Sequence, residues 1–334
     1  MQAIQLHQPG GPERLRLGEV PTPRPGPGEV LVQLKAAALN HRDVWIRLGR
    51  QMTDRLPLIP GSDGTGLVAE VGPGTSHLRP GQAVVINPAL DWGDREDRPS
   101  PAFRILGGPD PGTYAEFVVV PAGNVFPKPS PLSFEEAAAM PLASLTAWRA
   151  VVTRGQVRPG ERVVVLGIGG GVATFALQIA RQSGASVIAT SSSDEKLLRA
   201  KALGADLTIN YATAAWDEAV LEWTGGGADV VIDSVGKATW EKALRALRPG
   251  GRLVSFGATT GPAVEVNIRT VFWNQISILG TTMGSPREFT AMLHLYEAGR
   301  LKPIVDRVFP LREAAEAHRR MDAGDQFGKL VLVP

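Results

Sequence analysis

The sequence predicts an α/β protein that combines a β-rich part with a doubly wound parallel sheet that binds a dinucleotide. Residues 163–180 are predicted to form a buried strand, a glycine turn and a helix, the order that dinucleotide-binding turns require. Residues 1–125 carry short apolar runs separated by Pro and Gly clusters, which is typical of a β-barrel or sandwich. From Ser133 the apolar period changes, and strands alternate with helices to about residue 284. Such alternation predicts a parallel sheet covered by helices on both faces.

The composition is that of an ordinary soluble globular protein, with 43% hydrophobic and 20% charged residues. A length of 334 residues favours two domains, and a net charge of +2 gives no reason to expect a nucleic acid or an acidic membrane as partner. We find no apolar run of ~20 residues that would span a membrane and no signal peptide, so a cytoplasmic protein is expected. The sequence has no cysteine, which excludes disulfides, thiolate zinc sites and a cysteine nucleophile.

The β-rich part is predicted to contain strands at 30–36, 66–71, 82–86 and 114–120. A long polar, proline-rich loop at 90–112 separates the last two of these strands. A loop of this length in a compact domain is usually functional, or a relic of a lost function.

The glycine turn after the predicted strand at 163–166 is the strongest functional signal in the sequence. Its glycines let backbone N–H groups approach a pyrophosphate, and the following helix directs its positive N-terminal end at the phosphates. Ala173 occupies the last small position, where a third glycine is commoner. A glycine-rich turn without a ligand is the alternative. We predict that the cofactor is held at Gly167, Gly170, Gly171 and Val172.

The end of the next predicted strand selects the cofactor. NAD enzymes usually carry Asp or Glu about 20 residues after the first glycine, where the side chain holds the ribose 2′-OH. Thr190 and Ser191 stand there instead, and their small hydroxyls leave room for a 2′-phosphate that Lys196 can neutralise. NADPH is therefore expected, with NADH as the alternative. Ser192 is also predicted to cap the following helix in a capping box with Glu195, and this structural role is compatible with the binding role.

The remaining elements are predicted as strands at 230–233, 252–256 and 276–281, helices near 287–299 and 312–322, and a last strand at 329–333. An apolar strand at 276–281 would be a liability as an unpaired sheet edge. We therefore expect it to pair with its copy across a two-fold axis, which gives a homodimer or a homotetramer.

Five further stretches stand in a familiar order. They are 60–66 (PGSDGTG), 112–117 (GTYAEF), 145–148 (LTAW), the turn at 167–173, and 204–206 (GAD) with 210–211 (NY). In this order they resemble the medium-chain dehydrogenase/reductase superfamily over nearly the whole chain. The resemblance implies a GroES-like β-barrel catalytic domain and a Rossmann domain. The implied boundaries are 1–125 for the first part of the catalytic domain, 126–284 for the Rossmann domain, and 285–334 for the segment that completes the catalytic domain.

The sequence departs from the zinc-binding pattern of this superfamily. Members that bind catalytic zinc hold it with Cys in a C-x-x-D segment, His in a G-H-E segment and a later Cys, whereas the matching segments here carry Asn40 and Ser62. Amide and hydroxyl oxygens are poor ligands for zinc. The loop at 90–112 also lacks the four cysteines that hold a structural metal in zinc-binding relatives. We expect no metal, and an improvised site on His41 and Asp63 is the alternative.

The zinc-free quinone and enone reductases are the subgroup that the sequence resembles most. This resemblance implies hydride transfer from NADPH to a quinone or an α,β-unsaturated carbonyl, for which the protein supplies orientation and polarisation. An alcohol dehydrogenase-like reaction without metal is the alternative, and it requires a proton relay from Ser62 or His41. An NADPH-binding sensor or structural protein without turnover is the alternative from another class.

The resemblance also implies roles for individual residues. Asn40 is expected to donate a hydrogen bond to the substrate carbonyl, Asp43 to support the segment, and Ser62 to line the same loop. A bond from Asn40 to the neighbouring backbone is the alternative. Trp45 and Trp273 are expected either to wall the acceptor site or to lie in the core. The expected cofactor contacts are His41 with the pyrophosphate, Thr146 with the nicotinamide, Ser191, Lys196 and Tyr211 with the 2′-phosphate, and Lys329; each basic residue has a solvated surface charge as its alternative role.

Overall fold

The computed structural model describes residues 1–50 and 55–334 of the chain. The chain divides into two compact units, one formed by Met1–Leu145 with Gly284–Pro334 and the other by Thr146–Met283. Within the described residues, no helix has the length and apolar character needed to cross a lipid bilayer.

The first boundary between the units lies later in the chain than residue 125, where the sequence placed it. The reason is packing: Ala138 and Ala139 are buried in one apolar cluster with Ala36 and Ala38 of the first unit. A change in hydrophobic period marks where helices begin, but it does not mark which core they join.

The N-terminal part of the first unit is built mainly from short strands, as its Pro- and Gly-punctuated apolar runs predict. The strands are β1 (Gln2–Leu6), β2 (Leu15–Glu19), β3 (Glu29–Ala38), β4 (Asp63–Val71), β5 (Ala83–Ile86), β6 (Ala89–Leu90), β7 (Arg104–Ile105), β8 (Phe117–Pro121) and β9 (Val125–Pro127). The helices are α1 (His41–Arg47), α2 (Phe134–Ala138) and α3 (Pro141–Trp148), of which the last three residues belong to the second unit.

The second unit is a doubly wound α/β sheet, which confirms the predicted fold class. Its strands are β10 (Arg162–Val165), β11 (Ser186–Ser191), β12 (Leu207–Asn210), β13 (Ala228–Asp233), β14 (Leu247–Ser255) and β15 (Ser277–Gly280), and its helices are α4 (Gly171–Gln182), α5 (Asp194–Ala202), α6 (Trp216–Thr224), α7 (Trp240–Arg245) and α8 (Ile268–Trp273). All six strands are parallel, in the order β12-β11-β10-β13-β14-β15. From β10 the chain adds β11 and β12 on one side, and then β13, β14 and β15 on the other. The strand order therefore reverses between β10 and β13, and such sheets bind their ligands at this point.

The C-terminal segment returns to the sheet of the first unit. Its elements are α9 (Pro286–Glu297), β16 (Val305–Pro310), α10 (Ala314–Ala323) and β17 (Lys329–Val333). β17 runs antiparallel to β3, with Val331 opposite Ala38 and Leu332 opposite Ala37. Continued by two residues, this register places Lys329, the first residue of β17, beside Asn40, which lies two residues after the end of β3.

The predicted loop at 90–112 contains a small lobe of its own. β6 and β7 pair antiparallel, and Trp92 is 2% exposed within the lobe. The indole of Trp92 donates a hydrogen bond to the Arg95 carbonyl at 2.9 Å and packs edge-on against Phe103, with ring centroids 5.3 Å apart. An aromatic pair therefore forms the centre of this lobe.

The N-terminus of α5 differs by one residue from the prediction. Ser193, not Ser192, caps the helix, and its hydroxyl accepts a hydrogen bond from the Lys196 N–H at 3.4 Å. The predicted capping box with Glu195 is wrong, because the third residue counted from the true cap is a lysine. The Ser193 N–H instead donates to the Ser191 hydroxyl at 3.1 Å.

Candidate functional site

Asn40 is the centre of a buried polar cluster in the first unit. It follows β3, precedes α1 and is 6% exposed. Its Nδ2 donates to Asp63 Oδ2 at 2.9 Å, and its Oδ1 accepts from Lys329 Nζ at 2.5 Å. The opposite amide orientation would place an acceptor against a carboxylate and a donor against an ammonium, so the partners fix the orientation. Among the described residues, Asp63 is the acceptor found for Nδ2, and no acceptor is found for its second N–H.

Asp63, the first residue of β4, joins the parts of this cluster and is fully buried. Its Oδ1 accepts the backbone N–H of Leu142 at 2.8 Å, in the first turn of α3, where the helix favours an anion. Its Oδ2 accepts from both Asn40 and Lys329. The carboxylate is thus neutralised by a lysine within the protein.

Lys329 is buried at the start of β17, with 3% exposure. Its Nζ lies 3.0 Å from Asp63 Oδ2 and 2.5 Å from Asn40 Oδ1. The alternative of a solvated surface charge is therefore wrong for this lysine. The expected contact of Lys329 with the cofactor stays a prediction, and the partners that the structure gives it are Asp63 and Asn40.

Asp43 links the backbone of Asn40 to the side chain of Tyr114. Its Oδ2 accepts the Asn40 backbone N–H and the Tyr114 hydroxyl, each at 2.8 Å. The first of these bonds satisfies a free N–H at the start of α1. Burial raises the pKa of Asp43, while the nearby Arg42 guanidinium and the two hydrogen bonds oppose that rise. Burial and the Asp43 charge raise the pKa of Tyr114, so its hydroxyl remains a donor.

Ser62 forms hydrogen bonds with the loop at 90–112 and with Arg42, and not with Asn40, Asp63 or Lys329 in the described structure. Its hydroxyl donates to the Leu106 carbonyl at 2.7 Å and accepts from Arg42 Nη1 at 2.8 Å. Arg42 also donates to the carbonyls of Leu106 and Gly108, at 3.0 and 3.2 Å. Because the Ser62 proton is already donated, these contacts argue against the proton relay that the metal-free alcohol dehydrogenase alternative requires.

His41 shares no hydrogen bond with Asp63 in the described part of the structure. The residue as a whole is exposed, and its ring centroid lies 6.0 Å from that of Trp45. Desolvation and the Lys329 charge lower the pKa of His41, while Asp322 opposes them. Trp45 is half-buried, with the Arg50 guanidinium 5.0 Å from its ring centroid. No group of three His, Cys, Asp or Glu residues able to hold a metal occurs in residues 1–50 and 55–334.

In the second unit, the glycine turn has the shape of a phosphate cradle. Gly167 and Gly169 have φ angles of +66° and +124°, which favour glycine. Gly170 is different, because its φ is −71° and a Cβ added to it would meet no protein atom within 4 Å. Neither backbone conformation nor protein packing requires a glycine there, so the open space suits a ligand. α4 begins at Gly171, directly after this position.

The carboxyl ends of β11 and β12 bring Ser191, Lys196 and Tyr211 into one region. The Tyr211 N–H donates to the Ser191 carbonyl at 3.0 Å, and the Tyr211 side chain is 48% exposed. The Lys196 side chain covers the glycine turn: its Nζ lies 3.4 Å from the position of a Cβ added to Gly169. The Thr190 hydroxyl accepts the Gly167 N–H at 3.3 Å, a contact that the sequence did not predict.

Two other predicted site residues belong to the second unit. Thr146 is 5% exposed on α3. Trp273 is 72% exposed on α8, next to Phe272 at 62%, so the core alternative for Trp273 is wrong. Ile268, on the same helix, is 72% exposed as well. This apolar surface precedes the edge strand β15.

Sequence reasoning missed the contributions of Arg42 and Tyr114. In the structure the Tyr114 ring packs against Gly61, which has a φ of +97° and leaves no room for a side chain, because a Cβ there would lie 2.3 Å from the ring. Arg42 donates to the Ser62 hydroxyl, 20 residues away, and to two backbone carbonyls at separations of 64 and 66 residues. No local pattern identifies such partners.

Comparison with known proteins accounts for both units. Residues 26–130 match the alcohol dehydrogenase GroES-like domain, and residues 171–298 match the domain described as zinc-binding dehydrogenase. The chain is 37% identical to the zinc-type alcohol dehydrogenase-like protein YogA of Leptosphaeria maculans, over 95% of this chain and 94% of the other. It is 34% identical to a quinone oxidoreductase of Pseudomonas aeruginosa, over 99% of each chain.

A solved structure described as an NAD-dependent alcohol dehydrogenase is similar over the full length. The two chains superpose with a TM-score of 0.96 at 47% identity, covering 100% of each. These similarities extend through both units and confirm the combination of a GroES-like and a Rossmann-like domain.

Proposed function

The chain belongs to the medium-chain dehydrogenase/reductase superfamily and is an NAD(P)-dependent oxidoreductase, and on that premise we propose that it reduces quinones or α,β-unsaturated carbonyls with NADPH and without zinc. The observation that carries this proposal is the Asn40 amide, which Asp63 and Lys329 fix in one orientation with one N–H left for a ligand. The Lys329 ammonium already supplies a positive charge to this site. A nicotinamide cofactor supplies the hydride when bound. Asn40 donates to the substrate carbonyl and stabilises negative charge that develops on its oxygen. Solvent water supplies the proton that converts the resulting enolate or phenolate into the product.

The residues at the place of the superfamily's catalytic zinc do not fit that metal. The Asn40 amide oxygen faces the Lys329 ammonium at 2.5 Å, and the same ammonium lies 3.0 Å from Asp63. A divalent ion there would meet a positive charge and a set of donors without His or Cys, which zinc does not favour. The zinc-free proposal is therefore supported by donor chemistry and by local charge.

The second unit supports NADPH as the cofactor. Gly167, Gly170, Gly171 and Val172 would hold the pyrophosphate at the N-terminus of α4. No carboxylate stands at the end of β11, where Thr190 and Ser191 are buried, and the Lys196 side chain lies over the turn. A lysine at this place favours the additional charge of a 2′-phosphate.

Oxidation of an alcohol with NAD is the second candidate function. The similar solved structure at 47% identity, described as an NAD-dependent alcohol dehydrogenase, favours it. Alcohol oxidation requires a group that accepts the hydroxyl proton. Ser62 is already engaged with Leu106 and Arg42, and this weakens the candidate.

The exposed surface of α8 and β15 supports a homodimer or a homotetramer. β15 is the edge of the parallel sheet, and the neighbouring helix exposes Ile268, Phe272 and Trp273. Self-pairing of β15 would bury an edge that is otherwise prone to nonspecific association. Light scattering tests the assembly directly, and a monomer at micromolar concentration would contradict it.

Steady-state oxidation of NADPH with a panel of quinones, enones and aldehydes tests the proposed reaction. The same panel is run with NADH, and every assay is repeated after dialysis against a chelator. Quinone or enone turnover that is faster with NADPH and unaffected by the chelator is the expected result. Activity confined to alcohols and aldehydes and lost with the chelator would overturn the zinc-free proposal, whereas tight NADPH binding without any turnover would favour a sensor.

A further inference from the structure

We propose that Lys329 is a positioning residue that fixes and polarises the Asn40 amide toward the substrate oxygen. The inference rests on the proposed function, because Asn40 is there the group that contacts the substrate. It adds a residue to which the sequence gave a different role, that of a cofactor ligand.

The geometry of the cluster carries the inference. Lys329 and Asn40 are 289 residues apart in sequence, yet the antiparallel pairing of β17 with β3 places Nζ 2.5 Å from Oδ1. Both groups are buried, at 3% and 6% exposure. The contact is therefore built into the sheet register and is shielded from water.

An ammonium at the amide oxygen changes the other end of the amide. It draws electron density toward Oδ1 and makes the N–H groups of Nδ2 more positive, an effect that is stronger at low dielectric. Asp63 binds one of these N–H groups and neutralises the lysine. The second N–H then gains donor strength without adding net charge to the site.

This arrangement selects for a class of substrate. A strengthened donor stabilises an oxygen that gains negative charge, as the carbonyl oxygen of an enone or quinone does when the carbon framework receives a hydride. It provides no acceptor for the proton of an alcohol. The Lys329–Asn40 pair thus favours reactions that build negative charge on a conjugated carbonyl oxygen over reactions that must remove a hydroxyl proton.

Replacement of Lys329 in two backgrounds tests the role. Lys329→Gln retains a hydrogen-bond donor without the charge, and Lys329→Met removes both. If the Met variant does not fold because Asp63 is then buried without a cation, the Gln variant still provides the test. Each change is made alone and together with Asn40→Leu. Lys201→Gln, at an exposed position on α5, is the matched control.

We expect Lys329→Gln to lower kcat for the enone by about 10²-fold, comparable to the loss of one oxyanion donor, with less than about a threefold change in KM for NADPH. The same change should cost nothing further in the Asn40→Leu background, because interaction through one group is non-additive. Wild-type kcat in Lys329→Gln would overturn the inference. A loss that persists in full with Asn40→Leu, or one that appears in KM for NADPH, would assign Lys329 to the cofactor instead.

Binding of 4-nitrophenol gives a readout that does not depend on turnover. Its phenolate resembles the oxyanion that forms in the reaction, and the ratio of phenolate to phenol bound is measured from the visible absorbance. We expect the phenolate preference to fall about tenfold in Lys329→Gln, the equivalent of about one pKa unit. An unchanged preference would overturn the inference. A wild-type protein that shows the preference but reduces no quinone or enone would instead remove only the proposed reaction.

Discussion

A histidine without hydrogen bonds lies in the core beneath the candidate site. His318, on α10, is fully buried, and within the described residues neither of its ring nitrogens has a hydrogen-bond partner. Its ring packs edge-on against Tyr114, with centroids 6.1 Å apart. Burial, aided by the Arg47 charge, lowers the pKa of His318 from 6.5 to about 3. The folded protein therefore holds this imidazole neutral.

The sign of the pH effect follows from this depressed pKa. Below pH 6.5 the unfolded chain binds a proton that the folded chain refuses, so stability is complete above that pH and falls as the pH drops toward 3. Each pKa unit corresponds to ~1.4 kcal/mol, which makes the loss ~3 kcal/mol at pH 4. Leucine has a similar volume, cannot be protonated and leaves no nitrogen unbonded. We therefore expect His318→Leu to abolish this part of the acid sensitivity.

Urea unfolding at pH 7 and pH 4 measures the effect. The free energy of unfolding of the wild type should fall between the two conditions by ~3 kcal/mol more than that of His318→Leu. His294→Gln is the control, because His294 is exposed on α9 and its replacement should leave the wild-type acid response unchanged. Equal losses in wild type and His318→Leu would refute the reasoning and show that the buried imidazole is not the source of acid sensitivity.

Further predictions concern the glycine turn, the cofactor preference and the buried carboxyl group of Asp43. Gly167→Ala forces a side chain to a φ of +66° and should cost ~1 kcal/mol in thermal unfolding, whereas Gly170→Ala should leave stability unchanged and raise the Kd for NADPH about tenfold in fluorescence titrations, since its Cβ enters open space; equal stability losses would contradict the assignment. Lys196→Ala should reduce the preference for NADPH over NADH about tenfold, measured as the ratio of kcat/KM values, and an unchanged ratio would remove Lys196 from the 2′-phosphate site. Burial raises the pKa of Asp43, so its contribution to stability is lost as the pH rises, and the stability gained by Asp43→Asn should increase with pH in urea unfolding; a gain independent of pH would contradict this.

The fold was largely predictable because its signals are local. The strand, turn and helix around Gly167 follow from a buried apolar run, consecutive glycines and helical periodicity within 18 residues, and the structure places β10 and α4 there. Element boundaries were less certain. The cap of α5 shifted from Ser192 to Ser193 because two adjacent serines offer the same chemistry and only the backbone geometry distinguishes them.

The candidate site was only partly predictable, since its bonds join distant segments. Asn40 and Asp43 were found because they stand together in one short stretch, but their partners depend on sheet register. Asp63 lies 23 residues from Asn40 and Lys329 lies 289 residues away, and no periodicity relates them. The alternative of a solvated surface charge for Lys329 was wrong for this reason, because a lysine at the start of an apolar strand carries no local sign of the carboxylate that neutralises it.

The kcat of Asn40→Leu with an enone or quinone tests the central claim most directly. The measurement uses NADPH at saturation and enzyme that has been dialysed against a chelator, with Lys201→Gln as the control. We predict a fall of about 10²-fold in kcat, since the site loses the donor to the developing oxyanion while the glycine turn and α4 are untouched. A kcat equal to that of the wild type would contradict the account and show that the buried amide plays no part in the reduction.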